Sequence, residues 1–267
     1  MTAVASPVLS GTNRLREWLS ARHSLLAEAL VVVGLYGTYE LARGLVAGDS
    51  LEAEHHARRV VALERALHVF VEGNVQRFAH GVPVLTTLLG GAYLTMHLTV
   101  SAGVLLWLHR RRPSGFAFAR TALLIASALA LVGYLVYPTA PPRMAGIGIA
   151  DTISSRHLDL DHGLVSFLYN PYAAVPSMHI GYALIIAATV VSQVRSSIVR
   201  ALALLYPLVV LLVIVATGNH FFFDAAAGAA VAVVAAAAAV VVTRGSESSI
   251  LVALPQRGAA TSERRAA

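Results

Sequence analysis

No cysteine occurs in the 267 residues, so disulfides and thiolate metal sites are excluded. Lysine is absent as well: all 20 basic residues are arginine. Charge of either sign is scarce, with 13% charged against 57% hydrophobic residues. A soluble domain of this size needs far more charge on its surface, so the composition points to an integral membrane protein. The net charge is +6, yet the arginines are dispersed between apolar blocks. Nucleic-acid binding would gather them on one face with aromatics interleaved, and no partner of that kind is expected. There is no internal repeat. The first apolar block carries no small-residue cleavage signature near its end, so it reads as a retained span rather than a removed signal peptide.

What is present is long apolar runs. A membrane-crossing helix needs about 20 mainly apolar residues. Candidate spans are 25–46, 82–108, 118–137, 174–193, 201–219 and 221–242, the first interrupted by Glu28, Glu40 and Arg43. The expected fold is all-α: a polytopic integral membrane six-helix bundle over 25–242. It is flanked by a cytoplasmic N-terminal tail (1–24) and a polar, disordered cytoplasmic tail (243–267). Arginine accumulates in cytoplasmic loops. "HRRRPSGFAFAR" (109–120), "QVRSSIVR" (193–200), the N-terminal tail and Arg244 fall on one side of such a bundle. The other side receives 49–80 and 138–172, neither with a basic excess. The expectation is therefore a multi-pass plasma-membrane protein with both termini cytoplasmic. Segment 52–78 is too charged to span. Val60, Leu63, Leu67, Phe70 and Val71 recur in it at helical spacing, predicting an amphipathic helix on the outer surface. The outer loop 138–172 contains "PTAPPRMAGIGIAD", too rich in proline and glycine for one regular helix.

This topology collects the polar residues of the apolar segments at one surface. Ser177 and His179 sit at the outer end of the fourth span, Asn219 and His220 at the end of the fifth, and Asp224 at the start of the sixth. Arg143 lies in the outer loop. His220 and Asp224 are four apart and share a helix face. An aspartate there fixes the imidazole tautomer, leaving the other ring nitrogen free to attack phosphorus, and stabilises the cation that forms. A buried aspartate alone would be costly in a membrane, and the pairing gives it a reason. His179 follows "VPS", with Pro176 suited to a first helical turn. Ser177 and the backbone donors from Met178 onward can bind an anion at a helix N-terminus, and His179 beside it can protonate a departing oxygen. The two histidines and the aspartate could instead hold a metal, but the serine and helix start suit phosphate better. Arg143, behind two prolines, presents a forked permanent cation suited to phosphate, or anchors a lipid headgroup. His97, mid-span, reads as a packing residue, and Glu28 and Glu40 as bundle contacts.

These residues carry a resemblance. "PSMH" (176–179) resembles the second motif of the type 2 phosphatidic acid phosphatase superfamily, usually Pro-Ser-Gly-His. His220 and Asp224 resemble the histidine and aspartate of its third motif. The resemblance is closest to inositol phosphorylceramide synthase and related bacterial inositol phosphotransferase-like proteins. In that branch a bulkier residue replaces the glycine, as Met178 does, and a Pro-rich stretch like "YPTAPPR" precedes the motif. "LERALHVFVE" (63–72) also looks like this branch. The resemblance covers about 55–230. It implies the six-helix fold, His220 as nucleophile, Asp224 orienting it, His179 as acid, and Arg143 and Ser177 on phosphate oxygens. No metal or other cofactor is implied. The chain departs from the superfamily where Ile214 stands six residues before the nucleophile in place of arginine. The first-motif lysine is missing, and Met144 rather than proline follows Arg143. Phosphate binding must then be supplied differently, with Arg65, Arg58 or Arg77 as candidates.

The leading expectation is phosphoryl or phospho-headgroup transfer on a membrane lipid phosphate, with inositol or another polyol as acceptor. The alternative is a phosphatase using water. Asn170, Asn219, His68 and Glu64 could bind acceptor hydroxyls. A lipid transporter would place charges near the midplane of discontinuous helices, and a pure scaffold has no need of converging His, His, Asp and Arg.

Overall fold

A computed structural model describes residues 11–45, 48–152 and 170–253, with side chains over 26–45, 48–152 and 170–244. Among these residues the fold is all-helical. The helices are α1 (Gly11–Leu45), α2 (Ser50–Ala66), α3 (Glu72–His80), α4 (Pro83–Arg111), α5 (Pro113–Val136), α6 (Met178–Gln193), α7 (Ser197–Ala216) and α8 (Phe222–Ala253). Four are long and apolar enough to cross a membrane: α4, α5, α7 and α8 over Phe222–Arg244. α1 passes that test only when counted with α2, to which it is bent by 99°. Its charges explain why: Glu28 pairs with Arg120 of α5, and Glu40 with Arg43. α6 is apolar but has 16 residues, about 24 Å of helix against a hydrocarbon core of about 30 Å. It is also enclosed by its neighbours, with ten of its residues buried. A reading of six spans thus rests on α1 and α6, which other helices support.

Proline and serine set the boundaries. Pro83 and Pro113 occupy first-turn positions of α4 and α5, where a missing N–H costs nothing. α5 stops at Val136, before the Tyr137–Pro138 step that disfavours helix. Ser196 caps α7 by accepting from Val199 N. α8 runs to Ala253, so helix continues where a disordered tail was expected. Extending a formed helix costs little, and the next proline is Pro255. In the same way α1 begins at Gly11, within the stretch expected to be a tail.

The core is a stack of small residues. Ala122, Ala126 and Ala130 of α5 and Ala232, Ala235 and Ala239 of α8 are all buried in one cluster. Small residues at near one-turn spacing let two helix backbones approach closely, which drives packing where lipid removes the hydrophobic gain. α6 fills the space between α5, α7 and α8.

The segment expected as one surface helix over 52–78 is two helices. α2 ends at Leu67, and His68 takes a left-handed backbone (φ 59°). Val69 N donates to Glu64 O and His68 N to Arg65 O, the paired bonds of a Schellman stop. The buried face also differs from the expected stripe. Ala53, Ala57, Val60, Val61 and Glu64 are buried, whereas Leu63, Leu67 and Val71 are exposed. The alanines admit Phe221 and Ala140 close to α2. Of the outer loop, the described part turns through a 3-10 segment, Pro142–Met144. It is tied down by a parallel bridge between Thr139 and Ala173. Residues 153–169 lie outside the described residues.

Candidate active site

The α7–α8 turn builds the first half of the site. "TGNHF" (217–221) closes α7 with a second Schellman stop. Asn219 N donates to Ile214 O and Gly218 N to Val215 O, with Gly218 left-handed (φ 70°). Glycine is required there, because a Cβ would lie 2.7 Å from Ile149 Cγ2. The chain emerges with His220 pointing back at the first turn of α8. Asp224 Oδ2 accepts Phe221 N at 2.9 Å and His220 Nδ1–H at 3.2 Å. Asp224 is fully buried and His220 nearly so. With Nδ1 held, the lone pair of His220 is on Nε2.

α6 brings the second half. Its cap residue Ser177 docks on α8: Ser177 N donates to Asp224 O at 2.9 Å. Gly228 makes this possible, since a Cβ there would sit 2.1 Å from Ser177 O. The helix starts at Met178 rather than at Pro176, whose preceding peptide is cis. His179 then lies edge-on to His220, ring centroids 5.5 Å apart. Its Nε2–H donates to Tyr93 O at 3.3 Å, and the ring stacks on Tyr93 at 4.5 Å. On its other side His97 stands edge-on at 4.3 Å. The imidazoles form a row rather than converging on one point. Among the described residues no group of three or more His, Asp or Glu could hold a metal ion.

Arg143 closes the site from the loop. Its Nη1 donates to Asn219 Oδ1 at 2.6 Å and its Nε to Asp151 Oδ2 at 3.2 Å. The side chain is 4% exposed. Arg143 N donates to Gly218 O, so loop and turn are fastened by backbone as well. These groups line a cavity of about 60 Å³, room for several waters. Arg143, Asn170, Met178, His179, Asn219 and His220 all border it.

The remaining sequence candidates lie elsewhere. Ser177 is wholly buried, with no hydrogen-bond partner for Oγ, and does not border the cavity. Arg58 and Arg65 border a separate surface hollow beside Met144 and Ile147. Arg58 pairs with Glu54, and Arg65 lies over the Phe70 ring. Arg77 donates to Asn74 on its own helix, and His68 is exposed at the α2 stop. Glu64 is buried against the start of α8, where its Oε1 accepts Phe223 N at 2.7 Å. Burial, with Glu72 beside it, pushes the Glu64 carboxyl up to about 8. The split of 52–78 explains this scatter, because residues aligned on one helix face two directions once the chain turns at His68.

The sequence reading missed the far wall. Tyr36, Glu40 and Arg43 of α1, with Tyr134 of α5 and Tyr182 of α6, border the same cavity, as does His97. Glu40 and Arg43 pair at 2.7 Å. Asn170 holds this end of α1, its Nδ2 donating to Arg43 O at 2.9 Å. Tyr39 hydrogen-bonds Tyr134, which donates to Pro176 O at 3.2 Å. An arginine inside an apolar span was the available signal, since ionisable residues there mark function by default.

A buried His–Asp pair, a second histidine on a neighbouring helix start and an arginine-bordered cavity form the polar centre of an apolar bundle. No curated protein and no solved structure matches the chain. A family model described as the PAP2 superfamily matches residues 58–238, which include every one of these groups except α1's. The chain belongs to the PAP2 (type 2 phosphatidic acid phosphatase) superfamily of membrane enzymes acting on lipid phosphates.

Proposed function

We propose that the protein is a phosphotransferase that moves the phosphoryl group of a membrane lipid phosphate, or a phospholipid headgroup, through a phosphohistidine on His220. The observation that carries this is the His220 Nδ1–Asp224 bond at 3.2 Å beside His179 at 5.5 Å. Nε2 of His220 attacks phosphorus as the P–O bond to the lipid breaks. His179 gives the leaving oxygen its proton. In the second half an acceptor hydroxyl attacks phosphorus, its proton passes to His179, and the N–P bond breaks. Asp224 keeps Nδ1 protonated and offsets the charge on the ring. Arg143, fixed by Asn219 and Asp151, holds phosphate oxygens. Arg43 supplies the second cation from α1, taking the place of the superfamily's missing lysine and arginine.

A polyol such as inositol is the proposed acceptor, because the part of the cavity lining supplied by α1 and Asn170 is polar in kind. Tyr36, Glu40 and Asn170 offer both donors and acceptors to hydroxyl groups. Water would need no such wall. The site is proposed to open on the extracytoplasmic face, since Arg110, Arg111, Arg112, Arg195 and Arg200 lie at the opposite helix ends and Arg244 closes the apolar part of α8. Sealed right-side-out vesicles carrying the protein and [32P]phosphatidic acid test both points. Label should pass to inositol added outside. Label found only in inorganic phosphate would make the enzyme a hydrolase, and transfer only to lumenal inositol would reverse the orientation.

A further inference from the structure

Glu64 of α2 and Glu72 of α3 are 2% and 0% exposed, yet neither borders the cavity. Both face the start of α8. Glu64 Oε1 accepts Phe223 N at 2.7 Å and Glu72 Oε1 accepts Phe222 N at 3.3 Å. With Asp224 accepting Phe221 N, three consecutive N–H groups after His220 are each held by a carboxylate. Free N–H groups at a helix start demand such partners, but one capping side chain is the usual provision. Two more buried acids need another reason. Glu64 and Glu72 hold neighbouring amides of the same turn, so their carboxyl groups are brought together there. Each has its second oxygen buried with no donor to it. Two facing acceptors can bond only through a proton.

We propose that Glu64 and Glu72 are positioning residues for the nucleophile: a carboxylic acid–carboxylate pair sharing one proton, which clamps the first turn of α8 and so fixes His220 and Asp224. This rests on His220 being the nucleophile. The clamp gives α2 and α3 a role in the reaction, although neither Glu64 nor Glu72 borders the cavity. It also makes the site sensitive to alkali. Once the shared proton leaves, two carboxylates are left together in a buried space and α2 and α3 loosen from α8. The charged and titratable groups around the pair are Asp224 and His220 from the α7–α8 turn, with Arg65 on α2 and Arg77 on α3 turned to Phe70 and Asn74. Arg143 and Asp151 of the loop pair with each other. The Glu64 carboxyl is pushed up to about 8 by burial and by Glu72. The folded protein therefore holds a proton that the unfolded chain has lost, and folding stability falls as pH rises from about 4.5 to about 8.

Glu64→Gln and Glu64→Leu separate the clamp from mere packing. Glutamine copies the protonated acid: its oxygen accepts Phe223 N and its amide donates to Glu72. Leucine fills space and does neither. In the full chain in detergent, wild type should show the infrared carbonyl band of a protonated carboxylic acid at pH 7 and lose it above the pair's titration. Glu64→Gln should lack that band at every pH. Amide exchange at Phe222 and Phe223 should rise roughly tenfold in Glu64→Leu, as for one lost hydrogen bond, and stay near wild type in Glu64→Gln. With [32P]phosphatidic acid, Glu64→Leu should lose about a hundredfold in kcat, the scale of an ångström's misplacement. Glu64→Gln should turn over and lose the wild type's alkaline decline. A band unchanged by Glu64→Gln, or a glutamine variant as impaired as leucine, overturns the shared proton. Infrared and exchange readings need no turnover, so they decide the clamp even if the phosphohistidine reading fails.

Discussion

Single residues divide by how their neighbours in sequence announce them. His220 and Asp224 were legible, because four-residue spacing at the edge of an apolar run has one geometric consequence, and the 3.2 Å bond realises it. Arg143 was legible as well, from the prolines before it. Arg43 was not, since nothing within the sequence of α1 says that it meets His179 and Asn219 from α6 and the α7–α8 turn. Tertiary packing alone brings them to one cavity. Its proposed role as second phosphate cation makes a specific prediction. Arg43→Gln should raise KM for a lipid phosphate tenfold to a hundredfold, about the worth of one or two charge-assisted hydrogen bonds. Steady-state kinetics on the purified variant read this directly. An unchanged KM would leave Arg43 a structural partner of Glu40.

At the scale of elements, helix existence was legible and helix contact was not. The apolar runs gave α4 to α7 and the start of α8 within a few residues, but α8 continues past its expected end to Ala253. The break between α2 and α3 escaped because the apolar period continues through Leu67 and Phe70, while the turn depends on His68 adopting a left-handed backbone that glycine would more readily announce. The close approach of α6 to α8 at Gly228 was equally silent. Gly228→Ala separates two opposed effects. Helix propensity favours alanine by about 1 kcal/mol. Against it stands a Cβ 2.1 Å from a backbone oxygen, well inside any real contact. Overpacking of this kind costs about 1–3 kcal/mol, and a clash with backbone cannot be relieved by a rotamer. The clash should win. Thermal unfolding in detergent should show a lower midpoint for the variant, and because Ser177 precedes His179 by two residues, turnover should fall further than stability does. A raised midpoint would mean that α6 and α8 sit farther apart.

The whole molecule is an apolar bundle that gathers the polar groups of the candidate site where α6 and α8 start. Six hydrophobic segments were read from the apolar runs, but among the described residues four helices qualify unaided. α1 and α6 depend on company: α1 pairs Glu28 with Arg120, and α6 is short and enclosed. Both supply cavity residues, so the helices least suited to lipid are those on which the site depends. α2 and α3 are fixed to the start of α8 by Glu64 and Glu72. The proposed function makes His220 the group that attacks phosphorus. Acid-labile labelling tests that claim most directly. The protein is mixed with [32P]phosphatidic acid, quenched within a turnover, and the adduct is mapped by peptide. The label should sit on His220, be stable to alkali and lost in acid, vanish in His220→Ala, and accumulate in His179→Ala when the acceptor is withheld and an activated aryl phosphate replaces the lipid. Label retained in His220→Ala, or turnover with no covalent adduct in any variant, would contradict it.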